Sequence, residues 1–142
     1  MPAPKLPHPH RVEPFNFQFC YCKNQKQLNA ITDELKIERG EYIRQVGAVH
    51  FLEGKERTQQ IAALCIGQIE GISYIQVIGI VAHECMHIWQ KALEWAGECS
   101  PSIEFEAYSI QRMVQTILGE MAQAHPKLYG HLNKEVIKIG SS

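Results

Sequence analysis

Two histidines with a glutamate between them stand four residues apart in the run His83-Glu84-Cys85-Met86-His87. On a helix, residues four apart share one face, one turn above the other, so two imidazoles can grip a single ion. Neutral imidazole nitrogens suit Zn²⁺ at about 2.0–2.1 Å, and the intervening glutamate projects where it can take a proton from bound water. The flanking Val81, Ala82, Ile88 and Trp89 are uncharged, unlike the residues of a fully solvated helix. Catalytic zinc takes three protein ligands and keeps a fourth position for water. Glu104 and Glu106 are the downstream candidates for the third. Helical phase favours Glu106, three residues after Ile103 and four before Ile110, where its carboxylate would be buried and in need of a cation; Glu104 projects about 200° away. The residues thus point to His83, His87 and Glu106 as ligands of Zn²⁺ and to Glu84 as the base of a hydrolytic reaction.

At these positions the chain resembles the zincin metallopeptidases, in particular the glutamate-ligand branch, the gluzincins. The eighteen residues between His87 and Glu106 match the spacing in aminopeptidase members of that branch. The phrase Glu104-Phe105-Glu106-Ala107-Tyr108 is similar to a Glu-x-Glu-Ala segment of small bacterial and phage-associated zincins of the repressor-cleaving type. The resemblance covers about Ile61 to Ala124. It implies an α+β minimal zincin-like fold, with a small twisted sheet packed on the H-E-x-x-H helix and a following ligand-bearing helix. An edge strand would bind extended peptide beside the cleft. Thermolysin-like members place an aspartate one turn after the ligand glutamate, but here Ile110 stands there and Asp33 is the chain's only aspartate. A backbone carbonyl, Glu94 or Asp33 would have to orient the histidines instead. The family also uses a tyrosine or histidine to stabilise the oxyanion, for which Tyr108, Tyr129 and His131 are the candidates.

The elements that must position these side chains follow from spacing. Residues 1–14 hold five of the seven prolines and read as an extended, loosely held arm outside the core, His8 and His10 included. Phe15, Phe17, Phe19 and Tyr21 alternate with Asn16, Gln18, Cys20 and Cys22, the period of a strand with a buried aromatic face. Cys20 and Cys22 would then be same-face neighbours about 6.5–7 Å apart, too far for an easy mutual disulfide. Asn24 and Gln27 signal a helix start before Leu28, Ile31 and Leu35, with Gly40 as its end. Tyr42–Leu52 and Ile61–Ile66 read as a hairpin around the polar residues 53–58. Ser73 with Gln76 is either a capping box or part of a strand over Ile72–Ile78, with Ile80–Trp95 helical in both cases. Val81, Cys85, Ile88, Ala92 and Trp95 form that helix's apolar stripe, and Gly97 suits its end. Ser100-Pro101 reads as a cap and first turn of a last helix reaching about Ala124, with Ile103, Ala107, Ile110, Val114, Ile117 and Met121 inward.

At 142 residues the chain is expected to form one domain, residues 15–142, with a single active site. Fourteen Lys+Arg against fifteen Asp+Glu leave no basic block of the kind that binds nucleic acid. The longest apolar stretch, Val77–Ala82, falls far short of the ~20 residues that span a bilayer, so no membrane role is expected. Five cysteines, an odd number, and a Met-Pro-Ala-Pro start without a charged and apolar leader suggest a reducing, cytoplasmic setting. The expected partner is a peptide or protein substrate, and a cleft in so small a chain leaves room for a protein partner to complete it. Two rivals stay open: a non-catalytic zincin-fold structural or interaction protein, for example a phage virion or regulatory component, and hydrolysis of a non-peptide amide. An intact Glu84 favours the enzyme, because a structural zinc site needs ligands but no base.

Overall fold

The computed structural model describes residues 6–13, 15–43, 46–56, 59–67 and 69–133. It is an α+β arrangement in which a mixed four-stranded sheet is covered by helices on both faces. In chain order the elements are β1 (His10–Arg11), β2 (Gln18–Cys22), α1 (Gln25–Leu35), β3 (Gly47–Glu53), β4 (Gln60–Ile66), α2 (Tyr74–Ala96), α3 (Ile103–Ala124) and α4 (Pro126–Tyr129). The sheet order is β1-β2-β4-β3, with β2 and β4 parallel and the outer pairs antiparallel. Parallel neighbours need a crossover, here made by α1 and β3.

Both faces of β2 are buried. Phe19 and Tyr21 join Leu64 and Ile66 of β4 against α2 and α3, forming the larger core with Val81, Ile88, Trp89 and Ile117. The other parity, Cys20 and Cys22, packs with Ala63 and Cys65 under Leu28 and Ile31 of α1. The alternation thus marks which core each residue enters, because a helix lies on each side of the sheet. The expected hairpin is present, β3 and β4 pairing from Gly47↔Ile66 to Glu53↔Gln60, with residues 57 and 58 of its loop outside the described residues. Tyr42, expected in the first strand, instead leaves the sheet and donates its hydroxyl to the Cys22 carbonyl at 2.7 Å.

Four further boundaries differ from expectation. The arm is not wholly outside the core: β1 pairs with β2, Val12 is 1% exposed, and His10 hydrogen-bonds Glu120 at 2.9 Å; residues 1–5 and Pro14 lie outside the described residues. The first helix ends before Gly40, because Lys36 takes the left-handed conformation (φ 58°) and its N–H bonds back to the Asp33 carbonyl. Ser102, not Ser100, caps α3, its side chain accepting from the Phe105 N–H. Ile103 is 84% exposed and Ala107 is exposed too, since the buried stripe of α3 runs through Met113, Ile117 and Met121. At about 100° per residue, Ile103 and Ala107 fall roughly 80° and 120° from Met113, on the shoulder of that stripe, whereas Glu106 falls about 20° from it.

Candidate functional site

Helix α2 carries the motif, and its start is settled by a complete capping box: the Ser73 side chain accepts from Gln76 N–H while the Gln76 side chain bonds the Ser73 backbone. The open alternative of a strand over Ile72–Ile78 is therefore not adopted. Gly97 ends the helix with φ 70°, as a left-handed glycine cap should. Val77, Val81, Cys85, Ile88 and Ala92 bury one face. That burial turns His83 and His87 outward to solvent.

The two imidazoles converge: His83 Nε2 and His87 Nε2 are 3.1 Å apart, with the rings near perpendicular. Two nitrogens on a tetrahedral zinc at 2.0–2.1 Å would be about 3.3 Å apart, so the pair already has the bite such an ion needs. Gln90 Oε1 lies 3.2 Å from His87 Nδ1, in position to accept a hydrogen bond from an Nδ1–H. Gln90, and neither Glu94 nor Asp33, is the side chain that meets His87 Nδ1. Glu94 instead pairs with Lys91 at 3.6 Å, and Asp33 with Arg39 at 2.6 Å on the other side of the sheet. The available signal was the three-residue spacing from His87, which puts Gln90 on the same helix face.

Glu84 is buried, 8% exposed, and lines the same groove as His83. It faces the start of edge strand β3, so close that a Cβ added at Gly47 would lie 3.4 Å from Glu84 Oε1. Together with Val46, Gly47, Ile72 and Ile80, the residues His83 and Glu84 line an open groove of about 560 Å³ between β3 and α2. His83, Glu84 and the start of β3, an edge strand among the described residues, therefore line one groove, and His87 stands one turn further along α2.

The other candidates are placed apart from that pair. Glu106 is half-buried and its Oε2 accepts the indole N–H of Trp89 at 2.7 Å, while Glu104 is exposed. Among the described residues no three His, Cys, Asp or Glu side chains are gathered to hold an ion, so His83 and His87 stand together without Glu106. Tyr108 is 65% exposed and lines a separate pocket with Arg11, Phe105 and Arg112. Tyr129 and His131 pack on Tyr74, at ring distances of 5.6 and 4.7 Å. Tyr74 precedes His83 by nine residues, about 13–14 Å of helix.

All five cysteines are unpaired, and Cys20, Cys22, Cys65 and Cys85 are buried. Hydrogen bonds from Cys20 and Cys65 hold the Cys22 thiol well below its ordinary range. Burial pushes Cys85 up to about 12, which suits an inert core thiol on the motif helix. No helix among the described residues is long and apolar enough to cross a membrane. Compared with family models, curated proteins and solved structures, the chain matches none of them.

Proposed function

We propose that this chain is a zinc-dependent hydrolase that cleaves peptide bonds, a minimal zincin of the glutamate-ligand branch acting in the cytoplasm on a peptide or protein substrate. The observation that carries the reading is the 3.1 Å approach of the two Nε2 atoms beside a groove that Glu84 also lines. His83 and His87 would hold the ion, with Glu106 as third ligand. In support of Glu106, its carboxylate is turned toward α2 and bonded to Trp89, two residues beyond His87, whereas Glu104 meets solvent. Among the described residues, no donor reaches Oε1 of Glu106.

Bound Zn²⁺ would supply a Lewis acid that polarises the scissile carbonyl and makes a water more acidic. Glu84 takes the proton from the attacking water onto its carboxylate and returns it to the leaving amine, acting first as base and then as acid. Gln90, accepting from an Nδ1–H, would keep His87 in the tautomer whose Nε2 lone pair is free. The edge of β3, unpaired among the described residues, offers its backbone groups to an extended chain lying along the groove.

The test is cleavage of an unbiased peptide library by zinc-loaded wild type and Glu84→Gln. The amide keeps the shape of the carboxylate but takes no proton, so cleavage should fall at least 100-fold while fold and metal content stay unchanged. Equal cleavage by the two proteins would overturn the assignment of Glu84. Stoichiometric zinc with no cleavage by either would replace the enzyme with the non-catalytic zincin-fold reading.

A further inference from the structure

Apart from the histidine pair, α3 presents a second set of side chains that hydrolysis does not use. Phe105, Tyr108, Ser109, Arg112 and Met113 recur at steps of three and four residues, so they share one side of that helix. Opposite them stand Arg11, Val12 and Glu13, and the two segments enclose a pocket of about 250 Å³. Its frame is fixed on both sides. Arg11 pairs with Gln18 in the sheet, and the chain turns directly after it, Val12 N–H donating to the Phe17 carbonyl and Phe15 N–H to the Val12 carbonyl, each at 2.8 Å. Phe105 is held through its N–H by the Ser102 cap and through its ring by Trp89 at 5.8 Å. Val12 and Met113 are both buried and supply an apolar floor.

The charges around this pocket do not balance. Three arginines fall among the described residues. Arg39 is gripped by both oxygens of Asp33, at 2.9 and 2.6 Å, whereas Arg11 and Arg112 meet no carboxylate within 4 Å and both line this one pocket. Glu13 shares the pocket without pairing with either. A guanidinium is a weakly hydrated, planar fork of donors that fits a carboxylate or phosphate. Two rings are also left open: Phe105 is 38% and Tyr108 65% exposed, one turn apart on the same helix side. Such rings take another aromatic ring in stacked or edge-on contact. Pockets for drug-sized ligands run to ~300–1,000 Å³, so this one admits a single ring with its charged group.

We propose that this pocket is a second binding site of the chain, for a phosphate monoester carried on an aromatic ring. The ring packs on Phe105 and Tyr108, and the phosphate oxygens accept from Arg11 and Arg112. A dianion matches two guanidiniums better than the single charge of a carboxylate does, and the Tyr108 and Ser109 hydroxyls line the same pocket as further donors. The Glu13 carboxylate opposes the anion and sets a limit on its affinity. A phosphorylated tyrosine side chain and a free aryl phosphate share this chemistry. The site uses no zinc ligand and no catalytic base, so it stands or falls independently of the hydrolase.

The 142-residue chain, stripped of metal so that no ion captures phosphate, is titrated with phenyl phosphate, inorganic phosphate and benzoate and followed by amide NMR. Phenyl phosphate should shift the resonances of Arg11, Val12, Tyr108 and Arg112, leave those of His83 and His87 in place, and bind at least fivefold more tightly than the other two. Arg11→Gln and Arg112→Gln should each weaken it at least fivefold, with Arg112→Lys, which keeps the charge but loses the fork, between Arg112→Gln and wild type. Tyr108→Ala should weaken it at least threefold, and Glu13→Gln should tighten it at least twofold. The arginine variants should melt within about 2 °C of wild type, because neither side chain has a partner to lose. A phosphotyrosyl peptide bound at least fivefold more tightly than phenyl phosphate upholds the site with a protein as its source, and equal affinity upholds it with a small molecule. Inorganic phosphate or benzoate bound as tightly as phenyl phosphate, no shift at the pocket, or an affinity unmoved by the arginine variants overturns the proposal.

Discussion

Replacing Glu106 by alanine in metal-free protein isolates the contact that holds its carboxylate. Trp89 is buried, and its indole N–H reaches Glu106 Oε2 at 2.7 Å. Truncation leaves that donor without its acceptor, which costs about 1–3 kcal/mol, toward the upper end because the acceptor is charged. Glu104 and Glu106 both lie in the first turn of α3, where a carboxylate gains ~0.3–1 kcal/mol from the helix dipole. Exposed Glu104 has only that second contribution. Glu106→Ala should therefore lose about 2–3 kcal/mol and Glu104→Ala less than about 1 kcal/mol. Glu106→Gln keeps an oxygen for the indole and should fall between them. At roughly 2–4 °C per kcal/mol for a chain near this length, Glu106→Ala should melt roughly 5–10 °C below wild type. Calorimetry in excess chelator reads these shifts with any ligand role switched off. Equal shifts for Glu104→Ala and Glu106→Ala would refute the helix phase that puts Glu106 inward, and with it the argument for a third ligand.

Lys36→Gly should stabilise the protein by about 0.5–1 kcal/mol in urea denaturation, because Lys36 sits at φ 58°, where a Cβ is penalised. Burial and the nearby Lys23 charge hold His125 below the ordinary imidazole range, so the unfolded chain takes up its proton more readily than the folded one. Its contribution is complete above pH about 6.5 and is lost as the pH falls through the folded value, so His125→Gln should flatten the drop in Tm between pH 7 and 5. An aromatic disulfide reagent should titrate one thiol per native chain, Cys99, and five only after denaturation, since the other four are buried.

Local signals in the sequence carried much of this architecture. Asn24 with Gln27 and Ser73 with Gln76 each pair a capping side chain with the backbone a turn away, so the starts of α1 and α2 follow from four residues. The convergence of His83 and His87 likewise follows from a four-residue helical step. What escaped depends on partners far along the chain. His10 and Val12 are held by Phe19 and by the core, which no pattern within a proline-rich arm announces. Ile103 looks like core on hydrophobicity alone, yet the capping choice of Ser102 and the phase set by Met113 and Ile117 leave it in solvent. Lys36 adopts a glycine-like conformation because Thr32 and Asp33 carbonyls accept the N–H groups of Ile37 and Lys36. Trp89 reads as one more apolar residue, and only its burial makes its N–H demand the Glu106 carboxylate.

The central claim is that His83 and His87 hold a zinc ion, and calorimetric titration of Zn²⁺ into chelator-stripped protein tests it most directly. Wild type should bind one ion per chain as the His83–His87 contact is replaced by coordination. The His83→Ala/His87→Ala double variant should bind none at the same concentrations while melting close to wild-type metal-free protein, since both side chains are exposed. One ion per chain in the folded double variant, or none in wild type, would contradict the account.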